Sequence, residues 1–278
     1  MATSRRMYYN IIALCVIITV ALYIYFEFSM KKESFVDTET YTAVIIEPRK
    51  HKAFEFVMDN FLTNLDHRWK FLVFHGTENE TYIKNILDTK FGDQASRITT
   101  MSLGVPNLSL HEYSAYMMNR NFLEKIPTEV FLVFQTDSMI CPDFKDKINM
   151  FLQYDYVGAP WTWRAPPWRE VPQFPKDEDA VGNGGLSLRR KTKMLEILEK
   201  CPILKPEPED TYFALPCEAV KINKPPSLLA KEFSMESIYS ENSFGLHKTW
   251  VPWHLGLTIT DKIDEHCVGY KKLVELNT

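Results

Sequence analysis

The sequence predicts an α/β domain in which helices flank a mostly parallel sheet. The domain has an irregular C-terminal half and is preceded by one N-terminal transmembrane helix. Three observations predict this. Short apolar runs rich in β-branched and aromatic residues alternate with segments of helical spacing. Beyond about residue 160, prolines, tryptophans and glycines break that rhythm. From Met7 to Phe26, twenty residues (MYYNIIALCVIITVALYIYF) pass without a charge, enough for a helix of roughly 30 Å, about one hydrocarbon core.

The N-terminal run is longer than the apolar core of a cleaved signal peptide and leaves through Tyr23, Tyr25, Phe26 and Phe28 rather than through small residues, which favours an uncleaved signal anchor. Tyr8, Tyr9, Tyr23 and Tyr25 sit where interfacial aromatics belong. Residues 1–30 read as cytosolic tail and anchor, 31–41 as a stem, and 42–278 as the catalytic-type domain. Arg5 and Arg6 precede the run and Lys31 and Lys32 follow it, a slight bias towards a cytosolic N-terminus and a single-pass type II orientation. Two sequons, at Asn79 and Asn107, suit a lumenal body. With Cys15 in the anchor, Cys141, Cys201, Cys217 and Cys267 remain. They form no CxxC, and the sequence leaves any disulfide pairing open.

The elements then follow in order. Thr42–Ile46 is a buried strand ending in Glu47-Pro48-Arg49, and Ala53–Leu65 carries helical spacing through Phe54, Val57, Met58, Phe61, Leu62 and Leu65. Trp69–Phe74 is a second strand ending at His75-Gly76, Thr81–Leu87 a short helix, and Arg97–Leu103 a third strand. Ser109–Ile126 reads as one long amphipathic helix capped by Ser109. Glu129–Phe134 is the fourth strand and runs into Gln135-Thr136-Asp137-Ser138. A short strand over Asp155–Pro160 precedes a Pro- and Trp-rich stretch, then Val181–Arg189, a helix over Lys191–Lys200 and a helix opening within Pro206–Ala214. The polar tips Glu47, Arg49, His75 and Asp137 all fall at strand C-termini, where α/β sheets bind ligands.

Each motif has a chemical and a plainer reading. Asp137, directly after an apolar strand, suits a divalent cation bridging a diphosphate or a turn. Gly182-Asn183-Gly184-Gly185 permits close approach of backbone to ligand or a tight turn, and it is neither a Rossmann nor a P-loop fingerprint. Glu209-Asp210 offers a general base or charges favourable at a helix start. His247 offers an imidazole ligand or ordinary packing. Trp161, Trp163 and Trp168 present faces for stacking on sugars or pin down the loop, and the acidic run 177–179 reads as solvated surface.

The 32 basic and 36 acidic residues give a net charge of −4. That balance excludes a protein built to coat nucleic acid, and the composition excludes disorder and a Cys-dense knot. An acidic body attracts no diphosphate by net charge, so any such ligand needs a local cation or Arg49.

Taken in order, these segments resemble one family: the two strand tips, QTDS, DYVGAPW, GNGGLSLR, Glu209-Asp210-Thr211-Tyr212-Phe213 and Gly245-Leu246-His247-Lys248-Thr249-Trp250. It is a largely uncharacterised family of GT-A-like glycosyltransferases found in large DNA viruses, algae and fungi. The resemblance runs from Thr42 to Trp253. It implies a GT-A-like fold and transfer of a sugar from a nucleotide-sugar donor to a hydroxyl acceptor on a glycan, protein or lipid, with inversion and with Mn²⁺ or Mg²⁺ as cofactor. Asp137 resembles the last acidic residue of an Asp-x-Asp metal motif whose first position holds Gln135, and His247 resembles the late histidine that completes the metal site. Glu47 and Arg49, with His75, Gln135 and Ser138 beside them, fall where donor-binding residues lie. Trp161, Asn183, Gly184 and Gly185 match the sugar- and acceptor-lining positions. Glu209 and Asp210 match the acidic segment that supplies the base. The location implied is a membrane facing the Golgi or ER lumen, or a viral-factory membrane. The alternative is a non-catalytic carbohydrate-binding or virion membrane protein on the same scaffold.

Overall fold

A computed structural model describes residues 39–161, 180–252 and 254–278. The expected anchor Met7–Phe26, Trp163, Trp168, the acidic run 177–179 and Trp253 lie outside the described residues. Among the described residues, no helix is long and apolar enough to cross a membrane.

The main sheet has six strands in the order β3-β2-β1-β4-β7-β6. β1 (Tyr41–Glu47), β2 (Trp69–His75), β3 (Ile98–Ser102) and β4 (Val130–Phe134) run parallel. β7 (Leu186–Arg190) pairs antiparallel with β4, and β6 (Tyr156–Val157) antiparallel with β7. The sheet is therefore mixed rather than mostly parallel. Four parallel strands place the ends of β1, β2 and β4 on one edge, and β7 returns against β4 to bring the glycine segment to that same edge.

Burial explains the two-faced core. Alternate β1 side chains point to opposite faces: Ala43 and Ile45 join one apolar cluster, Val44 and Ile46 the other. The first is covered by α1 (Phe54–Asn64), which buries Phe54, Val57, Met58, Phe61 and Leu62; the Phe61 ring stacks on Phe134 at 4.0 Å. α2 (Glu80–Lys90) adds Ile83, Ile86 and Leu87.

The expected long helix from Ser109 to Ile126 is two. α3 (Leu110–Met117) opens with a reciprocal capping box between Ser109 and Glu112. α4 (Arg120–Lys125) starts afresh because the Asn119 side chain accepts from the Asn121 N–H. An apolar period continuous across residues 109–126 concealed a second N-cap. α5 (Ile148–Phe151) follows, and α6 (Lys191–Lys200) packs Met194 and Ile197 on the second face.

A second, three-stranded sheet has the order β5-β9-β8. β5 (Ser138–Ile140) is antiparallel to β9 (Gly245–His247), with Ser138 opposite His247. β8 (Ser234–Met235) is parallel to β9, with Met235 level with Leu246. α7 (Glu209–Ala214), α8 (Ser227–Ala230), α9 (Thr260–His266) and α10 (Tyr270–Asn277) complete the described chain. Among the described residues two disulfides form, Cys141–Cys267 and Cys201–Cys217, so the pairing the sequence left open resolves there without metal-binding thiols.

Candidate functional site

The parallel strand tips are rigidly built. Glu47, 2% exposed at the end of β1, accepts from the Arg49 N–H and Nε through Oε1 and from Arg49 Nη2 through Oε2. Thr136 Oγ1 donates to Glu47 Oε2 at 3.2 Å. Asn79 locks this tip to the next. Its Nδ2 donates to the carbonyls of Glu47 and Arg49, and its Oδ1 accepts from the Gly76 N–H, each at 2.8 Å. A side chain buried and fully engaged in this way is no glycan acceptor, so the first sequon is structural.

A cleft of about 360 Å³ opens beside these tips, lined by Glu47, Arg49, Gln135, Thr136, Asp137 and Lys248 together with the 107–113 segment. Two residues expected at the donor site face elsewhere. His75 is buried, with ring Nδ1 2.9 Å from the Gly76 carbonyl. Ser138 is fully buried and ties the turn: its Oγ donates to the Gln135 carbonyl and accepts from the Gln135 N–H. Both sit at strand ends, but their polar atoms are taken up by neighbouring backbone rather than offered to the cleft. Gln135 donates from Nε2 to the Tyr113 hydroxyl on α3 at 3.0 Å, away from Asp137.

The small sheet sets the second group of side chains. Asp137 precedes β5, His247 ends β9 and Glu236 follows β8, so the register puts the three side by side. His247 Nε2 lies 3.2 Å from Asp137 Oδ1, yet neither buried atom has a hydrogen-bond partner, because the approach lacks hydrogen-bond alignment. On the other ring edge, His247 Nδ1 is 3.0 Å from Glu236 Oε1. Burial works against a charged His247, but the carboxylates of Asp137 and Glu236 outweigh it and hold the imidazole up at about 10. Burial likewise pushes Asp137 up, and facing His247 and Lys248 outweigh that and bring it down to about 2. Lys248, in the left-handed region at φ 46°, donates its N–H to the Asp137 carbonyl and holds Nζ 3.8 Å from Asp137 Oδ2.

The glycine segment joins this group to a third. Asn183, at φ 64°, takes a conformation that Asn tolerates better than most residues. Its Nδ2 bonds Glu236 Oε1 and lies 3.3 Å from His247 Nδ1, and its Oδ1 accepts from the Gly185 N–H. A Cβ on Gly185 would stand 2.1 Å from His247 Nε2, and one on Gly184 2.5 Å from Glu209 Oε1. The two glycines therefore make room for two acid–base side chains. Trp161 packs over Gly182 and lines the second core cluster.

Glu209 and Asp210 open α7 and differ sharply in surroundings. Glu209 Oε1 accepts from Arg189 Nη2 at 2.8 Å, and both side chains are buried. Arg189 also stacks over Tyr156 and Phe213. Glu209 is thus committed to an internal ion pair. Asp210 Oδ2 accepts from the Gly184 N–H and Oδ1 from the Thr211 N–H. Burial, then the neighbouring Glu209 charge, raises Asp210 to about 7.

Sequence reasoning assigned no site role to Glu236, Arg189, Asn79 or Lys248. Glu236 sits in Phe233-Ser234-Met235-Glu236 with no motif around it, and only the β8–β9 register reveals its position. Among the described residues, no three His, Cys, Asp or Glu side chains converge on one metal position. Asp137 and His247 instead offer two ligands whose facing atoms are orphaned. This fits a cation that takes its remaining ligands from a diphosphate and water.

The chain belongs to the family described as Protein of unknown function (DUF5672), whose model matches residues 98–247. No curated protein matches it. Among solved structures, it is similar to the galactosyltransferase LgtC in complex with donor and acceptor sugar analogs, with a TM-score of 0.53 and 10% identity over 84% of this chain and 94% of that one. An active-site variant of LgtC gives a TM-score of 0.50 and 13% identity, over 85% and 95%. A mannosyltransferase from Pyrobaculum calidifontis in complex with GDP-Man and Mn²⁺ gives a TM-score of 0.47 and 13% identity, over 68% of this chain and 55% of that one. The likeness is one of fold: a mixed sheet flanked by helices, as in GT-A glycosyltransferases.

Proposed function

We propose that this family member transfers a sugar from a nucleotide-sugar donor to a hydroxyl acceptor. One observation carries the reading. A single glycine segment holds an orphaned carboxylate–imidazole pair, Asp137 and His247, on one side and a carboxylate of raised proton affinity, Asp210, on the other. Both lie at the strand-tip edge of a sheet of glycosyltransferase type.

The donor nucleotide would enter the cleft beside Glu47 and Arg49. Glu47 holds the Arg49 guanidinium in a two-point grip, so the cation is presented in a fixed place. Asp137 and His247 would hold Mn²⁺ or Mg²⁺, which supplies countercharge for the departing diphosphate. Arg49 and Lys248 add positive charge that an acidic body otherwise lacks. Asp210 would accept the proton from the attacking hydroxyl. Its raised pKa keeps it a stronger base than an exposed carboxylate while still ionised above neutral pH. A single displacement assisted by one base inverts the anomeric centre. Glu209, paired with Arg189, sustains the proton affinity of Asp210 without taking part itself.

The two disulfides suit an oxidising compartment, consistent with a lumenal domain tethered through the apolar run at residues 7–26. The non-catalytic alternative draws on Gln135, whose amide is engaged with Tyr113.

The test is release of nucleoside diphosphate from a panel of UDP- and GDP-sugars by the detergent-solubilised full chain with Mn²⁺, with and without glycan acceptors. Asp210→Asn and Asp137→Asn should each lower turnover by about 10²-fold or more. Full activity in both variants would remove these role assignments, and glycan binding without any turnover would favour the alternative.

A further inference from the structure

The geometry points to Glu236 as the positioning residue of a two-ligand cation site: it holds the His247 ring by Nδ1 so that Nε2 faces Asp137. This rests on the reading of Asp137 and His247 as cation ligands and adds the group that prepares them.

Three observations carry it. First, Glu236 is 4% exposed, and the cost of burying a carboxylate demands partners. Those it has are the His247 ring at 3.0 Å, the Asn183 amide and His254 Nε2 at 3.5 Å. An ionised carboxylate only accepts, so Nδ1 of His247 carries the hydrogen. The nitrogen left for a cation is Nε2, the atom without a hydrogen-bond partner.

Second, the ring cannot swing away. Gly185 lies against its Nε2 edge, and Asn183 touches the Nδ1 edge at 3.3 Å while fastened to both Glu236 and the Gly185 N–H. Glu236, Asn183 and Gly185 therefore fix the ring plane together and keep a hydrogen on Nδ1.

Third, the order of the small sheet leaves Asp137 and Glu236 on opposite sides of His247, one just before β5 and the other just after β8 of the β5-β9-β8 sheet. One carboxylate faces each ring nitrogen. A histidine that binds metal through one nitrogen and gives its other N–H to a carboxylate is held in register and made more basic. With only two protein ligands, orientation of the imidazole decides much of the affinity.

The experiment measures Mn²⁺ binding to the full chain without donor, by titration of free Mn²⁺ in continuous-wave EPR. Pulsed EPR then records ¹⁴N modulation from a coordinated imidazole. The wild-type chain should show that modulation, and His247→Ala should abolish it. Glu236→Gln, which keeps shape and one acceptor oxygen, should weaken Mn²⁺ binding about 10- to 100-fold and reduce the modulation depth, with the melting temperature of the metal-free protein little changed. Glu236→Ala should be worse on both counts; because it also leaves buried partners unpaired, the Gln variant decides. Wild-type modulation with unchanged Mn²⁺ affinity in Glu236→Gln would overturn the positioning role and leave the cation reading standing. No Mn²⁺ binding by the wild-type chain would overturn both.

Discussion

At the scale of single residues, acid–base character is set by who sits next to whom. Glu209 and Asp210 are adjacent in sequence, yet Glu209 meets the Arg189 cation while Asp210 accepts from the Gly184 and Thr211 N–H groups and the Thr211 hydroxyl. Because the base must be ionised to act, transfer should rise with pH through about 7 and level off above it, measured as the pH profile of kcat/KM; Asp210→Asn should erase that limb. Stability should respond in the opposite sense. A folded-state pKa raised above the unfolded value favours the native state at low pH, and this contribution is lost as pH rises from about 4 through about 7. Relative to wild type, Asp210→Asn should therefore gain stability between pH 5 and pH 8, as read by urea denaturation. Gly185 is the complementary case. Gly185→Ala must displace the His247 ring, which should cost about 1–3 kcal/mol and abolish Mn²⁺ binding. Gly92→Ala, where an added Cβ meets nothing within 4 Å, is the control in the same denaturation and EPR assays. The three glycines of the segment were visible in the sequence. Which side chains they make room for was not, because those come from residues 25 and 62 positions away.

At the scale of elements, the sequence read most reliably where burial imposes a period. β1, β2 and β4 were legible as largely apolar runs because nearly every residue of each strand is buried, and α1 showed its buried stripe. The direction of β7 was hidden, since nothing in Leu186–Arg190 says whether it will pair parallel or antiparallel with β4. The break at Asn119 was hidden because the apolar pattern runs through it. The strand tips show the same division. Their location could be predicted, but only the local hydrogen bonds separate Glu47 and Asp137, which line the cleft, from His75 and Ser138, whose polar atoms bond neighbouring backbone. Asn79, read as a sequon, is the fastener of this edge. Asn79→Ala removes three hydrogen bonds at about 1 kcal/mol each. Chemical denaturation should show a loss of about 2–3 kcal/mol, and nucleotide affinity should fall as the Glu47–Arg49 tip loosens.

At the scale of the whole molecule, one disulfide staples the less regular C-terminal half to the sheet domain and the other closes a loop within that half. Cys201–Cys217 closes a segment 16 residues long around α7, the helix that carries Asp210. Cys141–Cys267 links the residue after β5 to the end of α9 across 126 positions. In the chain-entropy model these closures stabilise by about 3 and about 5 kcal/mol. Unfolding free energies from urea denaturation with and without dithiothreitol should differ by an amount of that order, and the Cys201→Ser, Cys217→Ser double variant should lose turnover more steeply than Mn²⁺ binding, because its bond encloses the proposed base and not the proposed cation pair.

The glycine segment has a final consequence. Asn183 reaches the imidazole side and Gly184 the carboxylate side through consecutive residues, so the segment cannot move for one without being felt by the other. Occupancy of the two half-sites is then thermodynamically linked, and the linkage is reciprocal. Donor and cation arriving first would set the Gly184 N–H, and with it the base, for the acceptor. Initial-rate patterns should accordingly be intersecting, with dead-end acceptor analogues uncompetitive against donor. Parallel lines, the mark of a covalent relay, would be incompatible with this shared segment acting in a single displacement.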